Sequence, residues 1–146
     1  MKGDFPDVNV LLALAWPNHQ FYAVARRWFT QRAGRCWYTS PLTQLGFLRL
    51  SCNPAFSKDF KQPAEAWALL HVMLEHPDHR FVEASISGSD KIFTTVVGKL
   101  QGHKQITDAY LLALARVHQL RFLSFDRKIR AFCPFPENLE ILIPDL

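Results

Sequence analysis

Short apolar runs of strand length alternate along this chain with longer stretches at helical spacing. Phe5 to Val8 predicts a strand that leads past Asn9 into the apolar run Val10 to Trp16, with Asp7 near the strand's carboxyl end. Trp16-Pro17-Asn18-His19 breaks that run. Phe21 to Gln31 then carries Phe21, Val24, Ala25, Trp28 and Phe29 at amphipathic-helix spacing, with Arg26, Arg27 and Arg32 outward or at the edges, and Gly34 ends it. Cys36 to Thr39 reads as a second strand. Ser40-Pro41 starts another helix, through Leu42, Leu45, Leu48 and Arg49, with Pro41 and Gln44 in its first turn. The turn-rich loop Asn53 to Pro63 is expected to tuck Phe56 and Phe60 against the body.

Pro63 to His76 predicts a helix with a wide apolar face, and His76-Pro77-Asp78-His79 closes it. Phe81 to Ala84 predicts a third strand, Ser85 to Ser89 a connection, and Ile92 to Leu100 a short helix ahead of Gly102. The next segment, His103 to His118, organises the rest. From Asp108 to Val117 the only charges are Asp108 and Arg116, so this helix is apolar nearly all round and must be buried, with Thr107 as its expected N-cap. Arg121 to Phe125 predicts a fourth strand that delivers Asp126, and Glu140 to Ile143 a fifth. Strands alternating with helices imply an α/β fold, with a mostly parallel sheet of about five strands and helices on both faces.

Length and composition narrow the class further. The 146 residues are expected to form a single domain, and 49% hydrophobic residues without low-complexity runs exclude a disordered or fibrous chain. The early apolar run is too short to span a membrane and has no basic segment and cleavage site before it. Cys36, Cys52 and Cys133 are odd in number and form no CxxC pair, which fits reduced thiols in a cytoplasmic protein better than disulfides or zinc. The formal net charge of +4 suggests a polyanionic partner.

The distribution of charge says more than its sum. After Asp7 no acid occurs until Asp59, and from Lys91 to Pro136 the only acids are Asp108 and Asp126, set among eight bases. Most other acids crowd the middle of the chain, as ordinary solvated surface would. In an open parallel sheet, ligands sit at the carboxyl ends of the strands. Asp7 and Asp126 each follow a strand and Asp108 begins the helix that feeds the fourth, so the three acids can converge. Carboxylates brought together repel unless a cation neutralises them, and an oxygen-only set favours Mg²⁺ or Mn²⁺ over zinc. Such an ion can activate water for phosphoester hydrolysis.

Four ordered blocks, PDVNVLLALAW, PLTQLGFLRL, ITDAYLLALA and LSFDRKI, resemble the PIN domain of VapC-type toxins over essentially the whole chain. The resemblance implies a three-layer α/β/α sandwich, a Mg²⁺- or Mn²⁺-dependent endoribonuclease, and a cognate VapB-type antitoxin that occludes the site. Its acids map to Asp7, Asp108 and Asp126. The remaining family acid maps to Gln44, where this sequence departs from the pattern. Two readings of other classes stand beside it: a noncatalytic PIN-like module that binds RNA or an antitoxin, and a Mg²⁺-dependent phosphoesterase on DNA or a smaller ester.

Other polar residues have candidate roles around these acids. Asn9 is expected either to hydrogen-bond the first carboxylate or a metal-bound water, or to cap a turn, and Ser124 either to support Asp126 from its face of the strand or to bond backbone. Arg127, Lys128 and His103 are candidate RNA contacts. The pair His76 and His79 makes a poor metal site, because Pro77 breaks the helical spacing. Trp16, Trp28, Trp37 and Trp67 are expected in core or interface packing rather than as base-stacking platforms. Exposed aromatics on such a sandwich, and the family resemblance, favour a homodimer.

Overall fold

The computed structural model describes residues 1–56 and 58–144; Ser57, inside the predicted loop, and residues 145–146 lie outside that description. The strands are β1 (Gly3–Pro6), β2 (Cys36–Thr39), β3 (His79–Phe81), β4 (Leu120–Ser124) and β5 (Leu139–Ile141). The helices are α1 (Val8–Ala15), α2 (Tyr22–Gln31), α3 (Pro41–Ser51), α4 (Pro63–Leu74), α5 (Lys91–Val97) and α6 (Ile106–Val117). The strands form one all-parallel sheet in the order β3-β2-β1-β4-β5. Parallel neighbours need crossover connections, and here the helices supply them on both faces.

Two cores follow from that arrangement. On one face, Phe5 of β1 and Phe122 of β4 pack with Leu111, Leu112 and Leu114 of α6 and Val96 of α5. On the other, Leu123 and Trp37 meet Val10, Leu11 and Leu12 of α1, Trp28 of α2, Phe47 of α3 and Leu70 of α4. The result is an α/β/α sandwich. The chain winds from β1 outward to β3 through α1–α4, then crosses back through α5 and α6 to β4, so the winding direction reverses at the β1/β4 boundary. That boundary is where open parallel sheets hold ligands.

Local chemistry sets the helix that leaves β2. Ser40 Oγ accepts from the Thr43 N–H at 3.3 Å while Thr43 Oγ1 accepts from the Ser40 N–H at 3.0 Å, a reciprocal cap with Pro41 just inside. Gly46 lets α3 approach α1. A Cβ on Gly46 would stand 2.7 Å from Val8 Cγ2, so a larger residue would push the two helices apart.

Several predicted boundaries shift. β1 spans Gly3–Pro6 rather than 5–8, because Asp7 already leaves the strand and bonds the start of α1. β3 spans His79–Phe81 rather than 81–84, since its pairing begins with His79 against Trp37, and α5 ends at Val97. β4 and β5 each begin one residue before the predicted positions, at Leu120 and Leu139. α6 is buried as expected, through Ala109 and Leu111 to Ala115, but Thr107 does not cap it. A 3₁₀ turn, His103–Gln105, runs directly into α6, so Gln105 occupies the cap position without a side-chain bond. Phe56 and Phe60 are 48% and 44% exposed instead of tucked in, and Trp67 is 57% exposed while Trp28 and Trp37 are buried. The three cysteines are free thiols. Among the described residues no helix is long and apolar enough to cross a membrane.

Candidate active site

Asp7 leaves the carboxyl end of β1, and its backbone N–H still donates to the Leu123 carbonyl of β4 at 2.7 Å. Its carboxylate is nearly buried, at 7% exposure, and both oxygens have donors: Val8 N–H to Oδ1 at 2.7 Å and Ser124 Oγ to Oδ2 at 2.8 Å. Burial pushes this carboxyl up to about 6; the Ser124 and Val8 hydrogen bonds pull it down, and the charge of Asp126 raises it further.

Ser124 is the hub of the β1/β4 boundary. It is fully buried and donates to Asp7, while Asn9 Nδ2 at 3.2 Å and the Asp126 backbone N–H at 3.1 Å donate to its oxygen. One proton and two lone pairs are all in use. Asn9 reaches the acids through this hydroxyl, and its Oδ1 accepts from the Phe125 N–H at 3.4 Å. The direct Asn9 contact to the first carboxylate is therefore replaced by a tie between α1 and the end of β4. Ser124 thus bonds the carboxylate of Asp7 rather than that of Asp126, to which it is tied through backbone alone.

Asp126 follows β4 and starts a 3₁₀ segment, Arg127–Phe132, with its Oδ1 accepting from the Lys128 N–H at 3.0 Å. Asp108 stands in the first turn of α6, partly buried, with no hydrogen-bond partner among the described residues. Burial, then the charges of Asp7 and Asp126, raise its carboxyl to about 7. The three isolated acids thus lie within electrostatic reach of one another. A cleft of about 400 Å³ opens over two of them, Asp108 and Asp126, and is lined also by His103, Lys104 and Lys128, while Asp7 lies buried outside its lining. Arg127 is exposed and does not line it.

Gln44 is held elsewhere. Its Nε2 donates to Thr39 Oγ1 at 2.9 Å, a bond that the sequence did not disclose. Among the described residues no three His, Cys, Asp or Glu side chains make a ready-made metal cage. The donor chemistry fits a hard divalent ion all the same. It is all oxygen, two of its carboxyls are displaced upward by burial and neighbouring charge, and Asp108 is uncommitted to any donor among the described residues. His76 and His79 are spent on other bonds, to the Asp78 N–H and Thr39 Oγ1.

Sequence reasoning missed one acid, Asp4. It is buried at the opposite end of β1, where Trp28 Nε1 and Arg35 Nη2 meet its Oδ2, each at 2.8 Å, and Arg121 Nε and Nη2 meet its Oδ1 at 3.2 and 3.1 Å. The signal available was an acid in the strand run, on the face opposite Phe5. Its donors leave it structural.

A PIN domain profile matches residues 5–133. The chain is similar to Ribonuclease VapC39 of Mycobacterium tuberculosis, at 37% identity over 125 residues that cover 82% of this chain and 86% of that protein. It is also similar to Ribonuclease VapC38 of the same organism, at 40% identity over 120 residues covering 82% of each. Among solved structures it resembles Mycobacterium tuberculosis VapC20, described as a sarcin-ricin loop cleaving toxin, with a TM-score of 0.64 and 16% identity over 87% of this chain and 92% of that one. At that identity the likeness shows the fold.

Proposed function

This chain belongs to the PIN domain family, and from that premise we propose that it is a divalent-metal-dependent endoribonuclease, the toxin of a toxin–antitoxin pair. The observation that carries the reading is the set Asp7, Asp108 and Asp126, in which burial and neighbouring charge disfavour ionisation of Asp7 and Asp108 until a cation joins them. These three would hold Mg²⁺ or Mn²⁺. A bound ion supplies positive charge against the charge developing on the phosphate and acidifies water.

The chain's own residues do the rest. Ser124 fixes the orientation of Asp7, and Asn9 fixes Ser124. Asp108, raised to about 7, is able to take a proton near neutral pH whenever it is not neutralised by a cation. His103, Lys104 and Lys128 line the cleft beside Asp108 and Asp126, where they would hold backbone phosphates of RNA. The likeness to VapC ribonucleases supports a VapB-type antitoxin as partner and a cytoplasmic setting. Leu45 on α3 and Trp67 and Val72 on α4 are exposed apolar side chains, which supports a homodimer as the form that covers them.

Gln44 favours a second reading, a noncatalytic PIN-like module, because a neutral amide stands where the family pattern has an acid. Incubating purified protein with RNA in Mg²⁺, in Mn²⁺ and in EDTA separates the two. Cleavage that EDTA abolishes and Asp108→Asn removes is expected. RNA binding without cleavage in either metal would establish the second reading, and preference for DNA or small phosphate esters would establish a phosphoesterase.

A further inference from the structure

Asn9 and Leu12 of α1 and Trp16 at its end fall at helical spacing on one face. At the near end of that face Asn9 ties the Ser124 hydroxyl and the Phe125 N–H. At the far end, about 10 Å on at the rise of an α-helix, Leu12 and Trp16 join Asn18, His19, Gln20 and Phe56 around a cavity of about 270 Å³. A second route leads from this cavity back to the acids. The His19 ring lies 5.9 Å from that of Phe21, which lies 4.8 Å from that of Phe125, the residue before Asp126. Phe125 packs with the core on the α1/α2 side of the sheet, whereas α6, which carries Asp108, covers the opposite face. The carboxyl ends of β1 and β4 therefore lie between two recesses, the basic cleft on the α6 side and this cavity on the other.

The lining is aromatic and amide, with no Lys or Arg in it. Single-stranded RNA is read by that chemistry: splayed bases stack on aromatic rings and hydrogen-bond at their edges. Several polar groups here have no protein partner among the described residues. The Phe21 N–H donates to His19 Nδ1 at 3.0 Å, so Nδ1 is bare, the proton of the ring sits on Nε2, and that N–H is unspent. Burial lowers the pKa of His19, which favours the same neutral ring. Trp16 Nε1 is buried and unpaired. Asn18 Nδ2 donates to Asp59 Oδ2 at 3.3 Å, which leaves its Oδ1 without a donor. Lys61 Nζ stands 5.5 Å from the centre of the Trp16 ring, a cation beside the cavity wall. We propose that this cavity is a subsite for an unpaired base of the RNA substrate, stacked among Trp16, His19 and Phe56, while the strand's backbone crosses the ends of β1 and β4 into the basic cleft. Recognition is thereby divided, with the base on one side of the acids and phosphates on the other. By seating a base at a fixed distance from the acids, the cavity sets which phosphodiester reaches them.

The inference rests on the ribonuclease reading for its substrate, but it is tested by binding in EDTA, where nothing is cut, so the two fail separately. The full ¹⁵N-labelled protein is titrated by NMR with short oligouridylate, with oligoadenylate, and with an abasic ribose-phosphate strand of the same length. Both oligonucleotides should shift the Trp16 indole and His19 ring signals, and the abasic strand should shift only signals of the basic cleft. Phe56 is 48% exposed, so Phe56→Ala leaves the core intact. That variant should bind the oligonucleotides about tenfold more weakly, the loss of one stacking partner, and the abasic strand as before, and Phe56→Tyr should restore affinity. Trp16 and His19 signals that ignore the oligonucleotides in the wild type, or that move equally with the abasic strand, would overturn the proposal. So would a Phe56→Ala variant that binds all three strands as wild type does. Base-dependent shifts in a protein that fails to cut RNA in Mg²⁺ would instead sink the ribonuclease reading and leave the base site standing.

Discussion

Replacing Asp108 by asparagine should stabilise the metal-free protein, by an amount that grows as pH rises from the unfolded carboxyl's range to the folded one's. That carboxyl is raised from 3.8 to about 7 by burial first and by Asp7 and Asp126 second. The folded state therefore binds the proton more tightly than the unfolded chain. Its contribution is fully present below the unfolded value and is lost as pH rises through the folded one, so the group costs stability in mildly alkaline solution. Each tenfold change in proton affinity is worth about 1.4 kcal/mol, which bounds the cost at about 4 kcal/mol. Water reaches part of the group and Asp7 shares the repulsion, so screening lowers the recoverable amount to about 1–2 kcal/mol. For a protein of this size that is a rise in Tm of roughly 3–6 °C. Thermal melts by circular dichroism in EDTA, near pH 8 and near pH 5, measure it. The gain should be clearly smaller near pH 5, where the folded carboxyl is protonated but the unfolded one is still ionised, and should vanish only below the unfolded value of 3.8; near pH 8 Mg²⁺ should stabilise wild type more than the variant. An equal gain at both pH values, or a fall in Tm in EDTA near pH 8, would refute the charge argument and make Asp108 a structural group.

Three further outcomes follow from geometry already described. Ser124→Ala strips Asp7 of a donor and leaves the Asn9 and Asp126 N–H groups unpaired, so denaturant titration should show a loss of about 1–3 kcal/mol, and the Asp7 carboxyl should titrate still higher by NMR. Lys104→Ala and Lys128→Ala should each reduce the log–log salt slope of RNA binding by about 1, whereas Arg127→Ala, outside the cleft, should leave it unchanged. Gly46→Ala should destabilise by roughly 1–3 kcal/mol in chemical denaturation, because the clash with Val8 outweighs the better helix propensity of alanine.

What could be read from the residues alone is what depends on local pattern. The apolar girth of α6 announced its burial, and the isolation of Asp7, Asp108 and Asp126 among bases marked them before any contact was known. β3 was misplaced because Val82 looks like a strand residue, yet pairing starts at His79, and Val82 only closes the end with an N–H to the Thr39 carbonyl at 2.9 Å. Thr107 looked like a cap because the 3₁₀ turn before it carries no pattern of its own. Asp4 was illegible for a different reason: its partner Arg121 lies 117 positions away. Cross-strand chemistry of that kind exists only after the sheet has formed.

The strand order has a consequence for synthesis. Asp7 and the Ser124 that orients it are 117 residues apart in the chain and meet only when β4 docks beside β1. At about 5–20 residues per second, a ribosome needs on the order of ten seconds to translate that interval. Through that interval the nascent chain carries the first acid but none of the β4 scaffold that completes the centre. An enzyme that cuts RNA is thereby kept from being assembled beside the message that encodes it until the last of its central strands has emerged.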